Sequence, residues 1–382
     1  MKSITFFTHN IYAMGGTVKS ISQLANVLAQ KGHDVKIISV FKASNKPYFD
    51  LHPSIELEAL TNYQLHPSNV IDIFYNRLRK LTPFNKPCIL SQHEPGLYQF
   101  SSYIETKMIR RIRSINTDVL IGTRASFNIM IAQYGPSNIE KIGMEHMNFD
   151  AHPTAYQDQI IKAYGQLDKI TTLTSNDKKR YESVITTPTY VVPNVLNEAR
   201  QSLNKRNLII AAGRLEYEKG FDLLIESINL IKNIMREEQY KVEIYGDGQE
   251  RGHLQQQINQ FNISDIVSLN SITKSLASKL AESKYTVMPS RNEGFGMVIL
   301  EAMNQGSVVV SFDGIVGPTS IINDAENGFL VTHGDIRKLS NKLAHLLSTK
   351  NSNSAIIENG FNTVKAYEPY AVYTQFISML ND

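Results

Sequence analysis

The segment Asn292-Glu293-Gly294-Phe295-Gly296-Met297-Val298-Ile299-Leu300-Glu301-Ala302-Met303 brackets a pair of glycines with two carboxylates. The apolar run Tyr285–Met288 before it reads as a buried strand, and the periodicity predicts a helix opening at about Met297. A helix start offers free N–H groups and a partial positive charge, which suits a diphosphate. Gly294 and Gly296 let the backbone approach a ligand closely or take a positive φ. Glu293 falls in the loop and Glu301 one turn inside the helix. Carboxylates beside a phosphate site are poor phosphate ligands and good acceptors for sugar hydroxyls. The plainer alternative makes Glu293 a cap and Glu301 a surface charge. The two glycines, the strand–loop–helix context and the second glutamate weigh against it.

A second candidate is Ala212-Gly213-Arg214-Leu215-Glu216-Tyr217-Glu218-Lys219-Gly220. Arg214 leaves the end of a strand and Lys219 begins the next helix, so both are expected at the strand ends. Fixed cations there would neutralise a departing diphosphate. The competing reading pairs them with Glu216 and Glu218 on the surface, and the segment alone does not choose. In the N-terminal half, Tyr12-Ala13-Met14-Gly15-Gly16-Thr17-Val18-Lys19-Ser20 follows a first strand and opens a helix. It lacks the adjacent Gly-Lys-Ser/Thr and the upstream glycine of a Walker A loop, which excludes that kind of ATP site.

The elements that carry these loops alternate along the chain. Strand-like runs are Ile4–Thr8, Val35–Val40, Val119–Gly122, Ile170–Leu173 and Tyr190–Val192, then Leu208–Ala212, Val242–Tyr245, Ile266–Leu269, Tyr285–Met288 and Ser307–Ser311. Helical patterns such as Phe221, Leu224, Ile225, Ile228 and Ile231 lie between them. This alternation predicts parallel sheets covered on both faces. A length of 382 residues favours two domains. The polar stretch from Pro193 to Arg206 divides the chain into 1–193 and 194–368, two α/β domains facing each other across a crevice. After Pro369 an apolar helical pattern resumes, and this helix, 369–382, packs on either domain.

Charged residues make up 20% of the chain and its formal net charge is +3, which gives no argument for a nucleic-acid partner. Cys88 is the single cysteine, which excludes an intrachain disulfide and fits a reducing compartment. The first residues are too short an apolar run for a signal peptide, and no stretch has the roughly 18 apolar residues of a membrane span. A cytoplasmic protein is expected, with the inner face of the plasma membrane as a further station.

The segments Glu293-x7-Glu301, Gly213-Arg214-Leu215 with Lys219-Gly220, and Ile244-Tyr245-Gly246-Asp247-Gly248 occur in an order that resembles family-4 retaining glycosyltransferases, built from two Rossmann-like domains in the GT-B architecture. Val192-Pro193-Asn194, Gly317-Pro318 and Asn327-Gly328-Phe329-Leu330-Val331 add to the resemblance, which is dense over about residues 190–335. It implies that Arg214 and Lys219 bind the donor diphosphate. Glu293, with the backbone around Gly294, Phe295 and Gly296, would hold hydroxyls of the transferred sugar, with Met297 and Val298 at the helix start. Glu301 would hold the ribose, and Asn270, Ile272 and Thr273 would lie near a uracil base, with Gly246 on the neighbouring turn. Gly16 would close over the diphosphate. His146, directly after the strand-like Lys141–Met144, would sit near the donor sugar and acceptor, with His152 as a competitor and Arg124 and Ser126 in the same pocket.

The first half has no Asp-x-Asp metal motif at a strand end, and no cysteine or histidine cluster occurs. The expected chemistry is therefore metal-independent transfer, with Arg214, Lys219 and a helix start stabilising the leaving group, and the resemblance implies a UDP-sugar as donor. The resemblance implies retention of configuration, by attack from the leaving-group face. The acceptor is expected to be an anionic polymer such as teichoic acid, or a lipid-linked glycan. Asn76-Arg77-Leu78-Arg79-Lys80-Leu81 and Lys107-Met108-Ile109-Arg110-Arg111-Ile112-Arg113, with Phe74, Tyr75, Tyr98, Phe100 and Tyr103, form a candidate anionic or membrane-contacting surface. The plainer alternative is a solvated helix face over ordinary core. A non-hydrolysing nucleotide-sugar epimerase and a non-catalytic partner subunit are competing functions. The first would need dedicated acid/base residues, and the second fits poorly with an intact Arg214, Lys219, Glu293 and Glu301.

Overall fold

The computed structural model describes residues 1–62, 69–81, 86–349 and 353–382. They form two compact units, Met1–Val195 with Pro369–Asp382, and Leu196–Glu368.

The first unit is built on seven parallel strands: β1 (Ser3–Thr8), β2 (Asp34–Lys42), β3 (Glu56–Asn62), β4 (Val119–Gly122), β5 (Glu140–Met144), β6 (Lys169–Thr172) and β7 (Thr189–Val191). Their order across the sheet is β3-β2-β1-β4-β5-β6-β7. Successive side chains of a strand point to opposite faces, so Phe6 and Phe7 enter two different apolar clusters, one on each face. That is why the central strands read as continuous apolar runs. β3 is the exception that the sequence did not announce. It is an edge strand with one fully buried residue, Thr61, and it carries Glu56 and Glu58, which pair with Lys36 of β2. Charge of this kind is usual on a sheet edge.

The terminal helix Pro369–Asn381 belongs to this unit. Val372, Phe376, Met379 and Leu380 recur at helical spacing and are buried in the cluster that also takes Ile21, Leu24 and Leu28 of the helix Gly16–Gln30. Lys2 Nζ donates to the Leu380 carbonyl at 3.1 Å, tying the helix to the start of the chain.

The second unit has six parallel strands: β8 (Arg206–Ala212), β9 (Lys241–Tyr245), β10 (Val267–Asn270), β11 (Ser283–Met288), β12 (Val308–Phe312) and β13 (Phe329–Val331), in the order β10-β9-β8-β11-β12-β13. Phe221, Leu224, Ile225 and Ile228 form the buried stripe of the helix Phe221–Leu230 over this sheet. Residues 192–205 form no strand or helix. The expected polar linker is not all surface, because Pro193 to Leu196 are buried and Leu196 N–H donates to the Tyr367 carbonyl at 2.8 Å.

Strand order reverses beside the first strand of each unit, at β1/β4 and at β8/β11. Open α/β sheets bind ligands at the carboxyl ends of strands at such a reversal. Among the described residues no helix is long and apolar enough to cross a membrane.

Phe376 is fully buried. A Phe376→Ala substitution is expected to cost the first unit about 3–5 kcal/mol, read as a shift of its urea unfolding transition to lower denaturant.

Candidate active site

In the second unit the neighbouring strands β8 and β11 deliver two loops to the same end of the sheet, Gly213–Gly220 and Pro289–Gly296. The loops touch through backbone. Gly220 has φ +64°, and a Cβ there would lie 2.0 Å from the Pro289 carbonyl oxygen. The Glu218 carbonyl accepts from the N–H of Arg291 at 2.7 Å and of Asn292 at 3.3 Å.

Side chains then lock the contact. Arg291 holds Asp222 with both guanidinium ends, at 2.7 and 2.6 Å, and donates to the Tyr217 carbonyl at 2.8 Å. Its guanidinium also lies 3.9 Å from the centre of the Tyr217 ring. Beside this clamp, Lys219 Nζ donates to Glu293 Oε2 at 2.5 Å, and both side chains are mostly shielded from solvent. One of the two readings the sequence left open paired Arg214 and Lys219 with Glu216 and Glu218. The tertiary partner of Lys219 is Glu293, because the turn Tyr217–Lys219 is closed on itself and aims the lysine across to the β11 loop. Lys219 ends this short 3-10 turn, and the helix begins only at Phe221.

The other predicted donor residues gather around the same strand ends. Arg214 is exposed and has no side-chain partner among the described residues. Gly296, with φ +91°, opens the helix Met297–Asn304, which no side chain caps. The N–H groups of its first turn, from Met297 and Val298 on, are the kind that need an outside acceptor. Phe295 is buried edge-on to Tyr367, so the loop offers its backbone rather than its ring. Glu301 is buried inside the helix and is not the surface charge of the plainer reading.

Gly246 has a packing role. A Cβ there would fall 1.9 Å from the Gly213 carbonyl oxygen, so only glycine lets the β9 turn lie against the Arg214 loop. Asn270 ends β10 and accepts from the Gly246 N–H at 3.1 Å. Beyond it, Ile272 is exposed and the Thr273 hydroxyl bonds Ser275 at 2.9 Å.

The first unit has a cavity of about 300 Å³ at the carboxyl ends of β1, β4 and β5. His146 lines it, directly after β5, and neither ring nitrogen has a partner among the described residues. Burial pushes its pKa down to about 4, so the ring is neutral near pH 7. His152 and Arg124 line the same cavity, whereas Ser126 is buried outside its lining. Gly16 begins the adjacent helix with open space at its Cβ position, and Thr17 and Val18 line the cavity. Glu145 is buried against it, and desolvation raises its carboxyl to about 7. Its Oε1 accepts from Asn128 Nδ2 at 2.8 Å and from the Tyr164 hydroxyl.

The basic segments behave unevenly. Lys107 bonds Asp72 at 2.7 Å and the Leu60 carbonyl at 2.9 Å, and Arg111 holds Glu58 with two bonds at 2.7 and 2.9 Å. Both are used inside the unit. The side chains of Asn76, Arg79, Lys80 and Leu81 lie outside the described residues. Phe100 is a core residue, Tyr75 and Tyr103 stack at 4.5 Å, and Phe74 and Tyr98 are exposed. Among the described residues no three His, Cys, Asp or Glu side chains come together as a metal-binding group.

Each unit is a parallel α/β sheet of the kind that makes up the GT-B fold, and the second carries a cation–carboxylate pair beside an uncapped helix start. Residues 196–363, somewhat under half of the chain, match glycosyl transferases group 1. It is 27% identical over 344 residues to an exopolysaccharide phosphotransferase of Streptomyces coelicolor, across 87% of this chain and 36% of that protein. It is 24% identical over 260 residues to a poly(ribitol-phosphate) α-N-acetylglucosaminyltransferase of Staphylococcus aureus, across 64% of this chain and 51% of that protein. The chain thus spans about a third to a half of the length of these two relatives. A crystal structure of an S. aureus TarM variant with fondaparinux, α-GlcNAc-glycerol and UDP has the same fold, with a TM-score of 0.76 over 100% of both chains at 14% identity.

Two outcomes follow from this geometry. Arg291→Lys keeps the charge but loses the two-pronged hold on Asp222. It is expected to cost about 1–2 kcal/mol and to speed amide hydrogen exchange in 215–220, measured by mass spectrometry. Glu145 titrates near 7 when folded against an ordinary value of 4.5, so its contribution to stability is full below about 4.5 and is lost as pH rises through about 7. His146 works in the opposite sense, its contribution being present above 6.5 and lost as pH falls through about 4. Glu145→Gln cannot titrate. Urea unfolding from pH 4.5 to 7.5 should therefore show the parent losing stability relative to this variant as pH rises.

Proposed function

We propose that this chain transfers a hexose or N-acetylhexosamine from a UDP-sugar, with retention and without a metal, to a cell-envelope acceptor. The observation that carries the reading is the Lys219–Glu293 pair, 2.5 Å apart at the β8/β11 strand ends, beside the uncapped start of the helix Met297–Asn304. A diphosphate seated there takes positive charge from Lys219, Arg214 and the first helical N–H groups. Those groups stabilise the charge that develops as the bond between the anomeric carbon and the diphosphate breaks. Glu293 accepts from hydroxyls of the sugar and Glu301 from those of the ribose. The acceptor oxygen bonds to the anomeric carbon from the leaving-group face, and its proton passes to the departing diphosphate oxygen. His146, neutral at working pH, contributes a hydrogen bond rather than a charge.

UDP and α-GlcNAc-glycerol in the TarM structure support a UDP-sugar donor and an α-linked product. The poly(ribitol-phosphate) transferase supports a polyol-phosphate polymer as acceptor, with a lipid-linked glycan as the related alternative. Val70, Ile71 and Phe74, exposed on the helix Val70–Leu81, support work at the inner membrane surface.

A thermal-shift screen with UDP, GDP and ADP, with and without EDTA, tests the donor. UDP at a hundredfold excess over its Kd should stabilise the fold by about 2.7 kcal/mol, with EDTA making no difference. Lys219→Ala and Glu293→Ala are each expected to lower kcat about 10²- to 10³-fold. Full activity in both variants would contradict the assignment, and sugar epimerised without transfer would replace it with the epimerase.

A further inference from the structure

A groove of about 460 Å³ lies at the amino ends of β8 and β9, the opposite end of the second sheet from Lys219 and Glu293. β8 runs from Arg206 to Ala212, so the strand alone separates the two places by about 20 Å. Arg206, Arg236 and Lys241 line the groove and are exposed, and among the described residues no carboxylate lines it. The acids that partner these cations stand outside the lining. Glu282 accepts from Arg206 Nη1 at 3.1 Å, and Asp265 accepts from Arg236 Nε at 2.9 Å and Nη2 at 3.0 Å. Exposed pairs of this kind hold weakly and can exchange partners. Arg236 Nη1, and Arg206 Nε and Nη2, have no partner among the described residues, and Lys241 Nζ donates only to the Asp265 carbonyl, at 2.5 Å.

Between Arg236 and Lys241 the backbone turns in a way that favours glycine. The helix Lys232–Glu237 closes with the Gln239 N–H donating to the Arg236 carbonyl at 3.2 Å and the Tyr240 N–H to the Met235 carbonyl at 2.8 Å. This closure holds Gln239 in the left-handed region, at φ +55°, where glycine is the usual residue. The chain has an amide there instead. It is exposed, lines the groove and has no side-chain partner among the described residues. Asn207 supplies a second amide, fixed by Lys284 Nζ donating to its Oδ1 at 2.7 Å and by its own Nδ2 donating to the Glu238 carbonyl at 2.7 Å.

Three cations and a free amide with no carboxylate select a ligand that carries negative charge on acceptor oxygens. The volume lies in the range of extended ligands, more than a lone phosphate fills. Leu208, Met235 and Ile266 form a buried floor, so the groove has no apolar side chain to insert into a bilayer. The Tyr240 ring is 5% exposed and offers no face for a nucleobase to stack on. What fits is a run of phosphodiesters joined by small uncharged links, with phosphates on the cationic rim and links over the floor.

Resting on the transferase reading above, we infer that this groove is a second holding site for an anionic polyol-phosphate polymer, away from the reacting centre. A polymer released after one transfer stays tethered there, which raises the local concentration of acceptor. Only a long chain gains, because a single unit cannot span the length of the strand.

The test uses the full chain and fluorescently labelled poly(glycerol-phosphate), followed by anisotropy without any donor. Glycerol 3-phosphate and phosphatidylglycerol vesicles serve as further probes. The double variant Arg206→Gln/Arg236→Gln should weaken the polymer about tenfold, equivalent to one charge-assisted bond, with UDP affinity kept. Gln239→Glu should weaken it several-fold by adding a like charge. Gln239→Gly should raise the melting temperature by relaxing the left-handed turn and still weaken the polymer, an outcome that a purely structural role does not give. Glycerol 3-phosphate should compete only at far higher concentration. Polymer binding indifferent to these variants would overturn the inference. So would glycerol 3-phosphate competing as well as the polymer does, or variants that lose vesicle binding and keep the polymer. UDP binding with an indifferent polymer refutes the groove alone. Polymer binding that responds to the variants, in a chain that does not bind UDP, leaves the groove standing and refutes the transferase reading.

Discussion

The second unit depends on two loops that are far apart in sequence being pressed together at the ends of β8 and β11. Gly220 against the Pro289 carbonyl sets the spacing, and the Arg291–Asp222 clamp holds it. Lys219 and Glu293 meet only because that spacing is fixed. Shielded charges that lose a partner are costly, so the pair keeps both side chains aimed at the strand ends. On the proposed reading a diphosphate competes with Glu293 for Lys219. The carboxylate released by that exchange turns to the sugar. One ion pair would then prepare both halves of the donor site.

The two units use one topology for different electrostatics. At the β8/β11 reversal the loops bring cations and a bare helix start, which suit a charged leaving group. At the β1/β4 reversal the loops bring neutral imidazoles around a guanidinium already neutralised by Glu94. On the proposed reading, charge develops on the donor during transfer and much less on the acceptor. The division of polar groups follows that difference. Burial raises the Glu145 carboxyl to about 7, so near neutral pH it is only partly ionised.

Much of this was legible in the chain itself. Buried parallel strands announce themselves as apolar runs, so β1, β2, β4 and most of the second sheet could be read directly. Glycines and glutamates at 293–301 form a local pattern that marks the loop and the helix start, and Glu301 is buried rather than the surface charge of the plainer alternative. Two things were not legible. β3 hides because an edge strand carries charge where a central one carries apolar side chains. Arg291 and Asp222 hide because their partnership spans 69 residues and no local pattern marks it. The basic run at 107–113 misleads for a similar reason, since the acids that consume Lys107 and Arg111 lie on other elements.

The most direct measurement is calorimetric titration of UDP and of a UDP-sugar into the parent chain, Lys219→Ala and Glu293→Ala. If the diphosphate takes Lys219 from Glu293, Lys219→Ala weakens UDP about tenfold or more, the worth of a charge-assisted bond. Glu293→Ala then leaves UDP as tight or tighter and weakens only the UDP-sugar. UDP binding that is indifferent to Lys219 would contradict the account.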